Sequence, residues 1–258
     1  MTRIIAVCNQ KGGVGKTTTA VNLSAALSMA ERRTLLIDAD PQGNATQGVG
    51  ITVGDEPTLY EALLEEDPWT PERAAGYILK TQLPFLDLVP ATHHLAGAEI
   101  ELVNTERRET RLKSFIQFIE NRYDFILIDC PPSLGLITLN VLVGAKSCLI
   151  PIQCEYYALQ GLAELLNTIR LTQQSFNPGL QIEGALLTMH QSSTVLSKQV
   201  VEEVRTSFHE KVFASVIPRT IKLAEAPSFG KPILLYDIAT PGAVAYMKLA
   251  QEVMGLNP

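Results

Sequence analysis

Cys8-Asn9-Gln10-Lys11-Gly12-Gly13-Val14-Gly15-Lys16-Thr17-Thr18-Thr19 follows an apolar run, Ile4-Ile5-Ala6-Val7, and precedes a helical pattern from about Thr18 to Ala30. Strand, glycine loop, helix is the setting a phosphate-binding loop requires. Gly12, Gly13 and Gly15 permit close backbone approach and unusual dihedrals, so the N–H groups around Val14 can face a polyphosphate. The helix start adds unpaired donors and a positive dipole end. Lys16 can reach terminal phosphates, and the Thr17 hydroxyl can ligate magnesium. The common pattern G-x-x-x-x-G-K-[ST] asks for glycine where this chain has Gln10, and it does not ask for Lys11. A bare glycine turn would have little use for lysines on both sides of it.

The chain has 258 residues, 46% of them hydrophobic, which suits an α/β protein. Strand patterns alternate with helix patterns, with no repeat, low-complexity run or linker. A single domain over residues 1–258 is expected, built as a doubly wound, mostly parallel sheet flanked by helices. No apolar run approaches the roughly 20 residues that span a bilayer. Met1 leads almost directly into the first strand, which leaves no room for a signal peptide. Cys8, Cys130, Cys148 and Cys154 form no C-x-x-C pair; Cys8, Cys130 and Cys148 lie in or beside apolar runs and read as small buried thiols, with a reducing cytosol as the plain reading. The formal charge of −6 means that nucleic-acid binding would need a local basic patch.

Arg33-Thr34-Leu35-Leu36-Ile37-Asp38 reads as a second buried strand running into Ala39-Asp40-Pro41-Gln42-Gly43-Asn44. Ligands of open α/β sheets collect at the carboxyl ends of strands, which aims Asp38 and Asp40 toward the glycine loop. A strand-end turn built on Pro41 and Gly43 is the plainer alternative. Tyr123 to Asp129 is another apolar strand ending in aspartate, followed by Cys130-Pro131-Pro132-Ser133; this is a Walker B arrangement, whose carboxylate holds magnesium through water. Between these signals, Thr58 caps a short helix to Leu64, Leu86–Val89 is a strand, and Arg107–Glu120 is an amphipathic helix with Leu112, Phe115, Ile116 and Ile119 inward. His93 and His94 have no third ligand at metal-like spacing. Further on come a strand over 146–153, a helix over 156–176, a strand over 181–188, and helices over 197–208 and 242–254.

The loop K-G-G-V-G-K-T-T resembles the deviant Walker A loop of the ParA/MinD family of P-loop ATPases. Asp38-Ala39-Asp40-Pro41-Gln42-Gly43-Asn44 is similar to that family's second motif, and Leu95-Ala96-Gly97-Ala98-Glu99-Ile100-Glu101-Leu102 to its L-A-G-A-E-x-E-L segment. Pro151-Ile152-Gln153-Cys154-Glu155-Tyr156-Tyr157-Ala158-Leu159-Gln160-Gly161 resembles P-x-Q-x-E-Y-Y-A-L-x-G. The stretch from Ile217-Pro218-Arg219 to Gly230-Lys231-Pro232-Ile233 resembles I-P-R-x-x-x-L-x-E-A-P-x-x-G-x-P-I. The likeness covers nearly the whole chain and is nearest to the small chromosomal ParA (Soj-like) partition ATPases.

The resemblance implies ATP or ADP with Mg2+ as ligands, contacted by Lys11, Gly12, Gly13, Val14, Gly15, Lys16, Thr17 and Thr18, with Pro218 beside the adenine. It implies catalysis by Lys11, Lys16 and Asp40, with Asp40 positioning water. The metal would be met by Thr17 and, through water, by Asp129, with Asp38 as an outlying candidate. It further implies an ATP-bound homodimer in which Lys11 acts across the interface near Glu155, slow hydrolysis stimulated by a ParB-like centromere-binding partner, and a cytoplasmic, nucleoid-associated protein. Non-specific DNA binding would fall to Arg219, Lys222, Lys231 and Lys248, with Lys198 and Arg205 as additions. One departure bears on this: relatives often read T-M-x-D-x-R-T where this chain has Thr188-Met189-His190-Gln191-Ser192-Ser193-Thr194, so a basic contact is lost at Ser193. A MinD-like membrane ATPase is the alternative. It needs a terminal helix with basic residues opposite a bulky apolar face, whereas residues 243–258 carry only Lys248. An iron–sulfur ATPase lacks a second cysteine to accompany Cys130. A catalytically dead loop is at odds with the presence of Lys16, Thr17, Asp40 and Asp129.

Overall fold

Short runs of Ile, Leu and Val buried on both sides form the centre of the computed structural model, which describes residues 1–155, 162–208 and 211–256. The strands are β1 (Arg3–Val7), β2 (Thr34–Asp38), β3 (Leu79–Lys80), β4 (Leu86–Val89), β5 (Phe125–Asp129), β6 (Ser147–Gln153), β7 (Gln181–His190) and β8 (Val212–Pro218). They lie in the order β3-β4-β2-β5-β1-β6-β7-β8, and all pairings are parallel except β3 with β4.

Alternation along each strand sends neighbours to opposite faces. Ile5, Val7 and Leu36 pack on one side with the helices Lys16–Met29 and Pro241–Val253; Ile4, Ala6, Leu35 and Ile37 pack on the other with Leu112, Phe115 and Val141. The terminal helix buries Tyr246, Leu249 and Val253 in that first core, so its apolar side is occupied. Among the described residues no helix is long and apolar enough to cross a membrane.

Several local expectations hold. Thr58 caps Leu59–Leu64, its backbone N–H donating to Glu61 Oε2 at 2.8 Å in a capping box. The helices expected over 197–208 and 242–254 are Val195–Ser207 and Pro241–Val253. The helix expected over 156–176 is described as Leu162–Ser175; Tyr156 to Gly161 lie outside the described residues.

Others are corrected. The helix expected over Arg107–Glu120 shrinks to Arg111–Gln117 between two short 3-10 turns: Arg107 adopts φ 56°, and Thr110, at φ −114° and ψ 7°, leaves the helical region just before Arg111. Its inward residues are nonetheless buried as expected. Cys8 and Cys148 are not free thiols but are joined in a disulfide, with Cα atoms 6.6 Å apart. Cys148 is the register partner of Ala6, so Cys8, two residues on, projects from the same face toward it. Cys130 and Cys154 are buried and free.

Candidate active site

Parallel strands deliver their carboxyl ends to one edge, and register decides what meets there. Val7 pairs with Asp129 and Asp129 with Asp38, so the glycine loop and both strand-end aspartates leave the sheet side by side. β1 runs between β5 and β6, where the strand order reverses, the position at which open α/β sheets bind ligands.

The loop takes the conformation its glycines allow. Gly13 and Gly15 have φ 73° and 90°, and no heavy atom lies within 4 Å of a Cβ built on Gly12 or Gly13. Gly15 is the N-cap of Lys16–Met29 and makes no side-chain cap, so the first turn of the helix presents its N–H groups at the loop. Lys16 is buried at 6% exposure, and its ammonium donates to the Lys11 carbonyl at 3.1 Å. Burial lowers its pKa, while the charges of Asp129 and Asp40 act to raise it. A cation with one neutral acceptor, facing two carboxylates across a cradle of N–H groups, is a receptor for an anion.

Asp129 is fully buried, and neither carboxylate oxygen has a hydrogen-bond partner among the described residues. Burial pushes its pKa well above the usual carboxylate range and the Asp38 charge adds to this. The Thr17 hydroxyl approaches and opposes the shift, without the geometry of a full hydrogen bond. Orphaned buried oxygens beside a helix-start hydroxyl fit a hydrated divalent cation. Among the described residues no cluster of three or more His, Cys, Asp or Glu would hold a metal unaided. Magnesium matches that arrangement, since it keeps waters and binds through one or two protein groups plus substrate phosphates.

Asp38 differs. Its Oδ1 accepts the Asp40 N–H at 3.1 Å, and its Oδ2 accepts the Thr46 N–H at 2.8 Å and the Thr46 hydroxyl at 2.7 Å. Burial raises its pKa to about 6 in spite of these bonds. It therefore ties down the loop that carries Asp40, with both of its oxygens engaged. Asp40 is buried and accepts the Gln42 N–H at 2.9 Å. Gly43, at φ 64°, passes so close to β4's end that a Cβ there would lie 2.9 Å from the Ala91 carbonyl.

On the other side of the helix start, a cavity of about 360 Å³ is lined by Gly15, Thr18, Thr188, Met189, Ile217, Pro218, Leu223 and Tyr246, among others. Pro218 lines this cavity together with Gly15 of the loop and Thr18 of the helix start. Arg219 lines the same cavity and lies 3.8 Å from Glu155, both side chains about half exposed. Lys222 pairs with Glu225 at 3.6 Å and lies over the Tyr236 ring. Lys231 borders a separate cavity of about 350 Å³ with Thr17, Asn22 and Asn44. Lys198 and Arg205 stand exposed on Val195–Ser207, and Lys248 on the terminal helix; none of the three makes an ion pair among the described residues. The six basic residues are thus distributed over several elements, and of them Arg219 and Lys231 line the two cavities beside the loop helix.

The side chains that hold the loop from outside escape a reading of the sequence. Asn9 Nδ2 donates to the Pro151 carbonyl at 2.7 Å while its Oδ1 accepts the Lys11 N–H at 3.0 Å. The Thr188 hydroxyl donates to the Val14 carbonyl at 2.8 Å. Tyr246 and Thr19 share a hydrogen bond of 3.2 Å. Asn9 adjoins the lysine loop; Thr188 opens the stretch compared with T-M-x-D-x-R-T, yet nothing in that stretch points to Val14, and Tyr246 carries no local signal.

Comparison with known proteins agrees with this geometry. A family model described as "AAA domain" matches residues 2–182. The chromosome partitioning protein ParA of Myxococcus xanthus is 54% identical over 253 residues, covering 98% of this chain and 88% of the relative. The sporulation initiation inhibitor protein Soj of Bacillus subtilis is 54% identical over 254 residues, covering 98% of each. Among solved structures, a cobyrinic acid a,c-diamide synthase from Mycobacterium smegmatis with bound ADP and magnesium superimposes with a TM-score of 0.84 at 38% identity, over 98% of this chain and 94% of that one.

Proposed function

The chain belongs to the ParA/Soj family of chromosome-partitioning ATPases, and from that membership and the site's geometry we propose that it hydrolyses ATP to ADP and phosphate to drive DNA segregation. The observation that carries the reading is the buried Asp129, without a hydrogen-bond partner among the described residues, set level with the loop of Lys16. The amides from Gly12 to Thr18 bind the phosphates, Lys16 exchanges the Lys11 carbonyl for phosphate oxygens, and the base lies in the cavity beside Pro218. Thr17 and, through water, Asp129 would hold magnesium, which supplies charge neutralisation across the phosphates. Asp40 orients the attacking water.

The half-buried Lys11 has its backbone held by Asn9. In this reading its side chain serves the phosphates of a second protomer closed face to face, with Glu155 near the join. A second cation at the transferring phosphoryl group stabilises its developing charge, as an arginine finger does. Arg219, Lys222 and Lys231 hold DNA phosphates without reading bases, joined by Lys198, Arg205 and Lys248 where the dimer brings them round. A ParB-like partner accelerates turnover and so releases DNA, in the cytoplasm on the nucleoid.

The test is co-sedimentation of the protein with DNA and with liposomes, in ADP and in ATP, across salt. Retention on DNA with ATP, falling steeply with salt, is expected; ATP-dependent retention on liposomes instead would assign the protein to the membrane-positioning branch. Lys16→Ala should abolish nucleotide binding, and retained ATP affinity would remove the loop from the site.

A further inference from the structure

Glycines give the phosphate loop its shape but do not hold it there. Gly12 and Gly13 are exposed, with open space where side chains would be, and Gly13 and Gly15 occupy a region of φ that glycine enters as readily as several others. A cradle whose N–H groups must converge on one anion needs something outside itself to fix the peptide planes.

Thr188 meets that need at the centre of the loop. It stands near the end of β7, 174 residues away from Val14 in sequence, and is 2% exposed. Its own carbonyl accepts the Cys154 N–H at 3.0 Å, which fastens this end of β7 beside β6. Its hydroxyl donates to the Val14 carbonyl at 2.8 Å. In a trans peptide the carbonyl of one residue and the N–H of the next lie in one plane and point in opposite directions. A Val14 carbonyl held toward β7 therefore turns the Gly15 N–H away from β7. The same side chain also closes in on Gly15: a Cβ there would lie 3.8–3.9 Å from the Thr188 methyl, Cβ and hydroxyl. Val14 is itself buried at 1%, so water is not at hand to replace the hydroxyl.

We propose that Thr188 is a positioning residue of the nucleotide site: its hydroxyl fixes the Val14–Gly15 peptide so that the Gly15 N–H is aimed at the phosphates before they arrive. The proposal rests on the nucleotide reading of the loop. Thr188 also lines the cavity beside Pro218, so one buried side chain borders both the phosphate loop and the base cavity.

The experiment compares Thr188→Val, which keeps the shape and loses the hydroxyl, with Thr188→Ser, which keeps the hydroxyl. ADP affinity is measured by calorimetry, and hydrogen exchange is followed at the Gly15 amide in the nucleotide-free protein. Thr188→Val should weaken ADP binding about tenfold, the scale of one lost hydrogen bond, and speed exchange at Gly15; Thr188→Ser should restore both. Thr188→Ala removes the same hydroxyl and takes the place of Thr188→Val if that variant does not fold. Natural-strength ADP binding in the folded hydroxyl-less variant, or a Ser variant as weak as the Val variant, overturns the proposal. Lys16→Ala keeps the two readings apart. If it still binds ADP, the nucleotide reading fails; if it loses ADP while Thr188→Val does not, only the role of Thr188 fails.

Discussion

Replacing Asp129 by asparagine should stabilise the nucleotide-free protein while abolishing its chemistry. The carboxylate is fully buried with no hydrogen-bond partner on either oxygen among the described residues. A buried polar group left unpaired costs about 1–3 kcal/mol, and more when charged. Asparagine is nearly isosteric and also lacks a fixed partner, so the substitution removes chiefly the charge. We expect a gain of about 2 kcal/mol near pH 8, which for a chain of this size raises Tm by roughly 4–8 °C. The sign with pH follows from the direction of the shift. A carboxyl whose folded pKa is raised contributes stability present below its unfolded pKa and lost as pH rises through the folded one. The natural protein should thus weaken as pH rises, with the part due to Asp38, raised to about 6, falling between pH 5 and pH 8, and Asp129→Asn should remove the part due to Asp129. Magnesium and ATP reverse the order: ligand at a hundred times Kd adds about 2.7 kcal/mol to the natural protein, and the variant forgoes most of it. Thermal unfolding with chelator across that pH range, then with magnesium and ATP, reads both effects. A variant that melts below the natural protein at pH 8, or that keeps magnesium-dependent hydrolysis, would refute the assignment of Asp129.

Asp40→Asn should lower ATP turnover by about a hundredfold or more, the usual scale of a water-orienting carboxylate, with nucleotide affinity kept; a phosphate-release assay beside calorimetry checks both. Arg219→Ala should reduce the salt slope of DNA binding by about one per protomer, and because its Glu155 contact is exposed, folding stability should change by less than about 1 kcal/mol. Gly230→Ala should destabilise by about 2–3 kcal/mol, since alanine is disfavoured at φ 60° and its Cβ would lie 2.9 Å from the Gly50 Cα. Denaturant titration measures the loss, and an unchanged midpoint would contradict the packing of Gly230 on Gly50.

The loop, the strands that deliver Asp38, Asp40 and Asp129, and the doubly wound sheet were legible because each signal is contained in a dozen neighbouring residues. A buried strand needs a run of branched apolar residues, a phosphate loop needs its glycines adjacent, and both survive being read one window at a time. What failed lies outside any window or cancels within it. The helix Leu136–Gly144 is not legible in the sequence because Leu-Ile-Thr-Leu-Asn-Val-Leu-Val-Gly shows no polar stripe, in keeping with its burial almost throughout. β8 is not legible as a strand because Ala214 and Ser215 interrupt its short apolar run and Pro218, which cannot donate to a ladder, closes it.

The separation of motif from support has a physical basis. Groups that touch phosphate must be close in sequence, because a cradle is built from consecutive peptide planes. Groups that hold the cradle must come from elsewhere, because a loop cannot brace itself against its own backbone. Asn9 marks the boundary: it is near enough to be quoted with the loop, yet half of its work is a bond to Pro151 on β6. Thr188 and Tyr246 lie wholly beyond that boundary, brought to Val14 and Thr19 by the order of strands and the docking of the last helix. The bond between Cys8 and Cys148 belongs with them, since only the pairing of β1 with β6 brings together cysteines 140 residues apart. A motif therefore identifies which atoms meet the ligand, and the sheet order identifies which side chains keep those atoms in place.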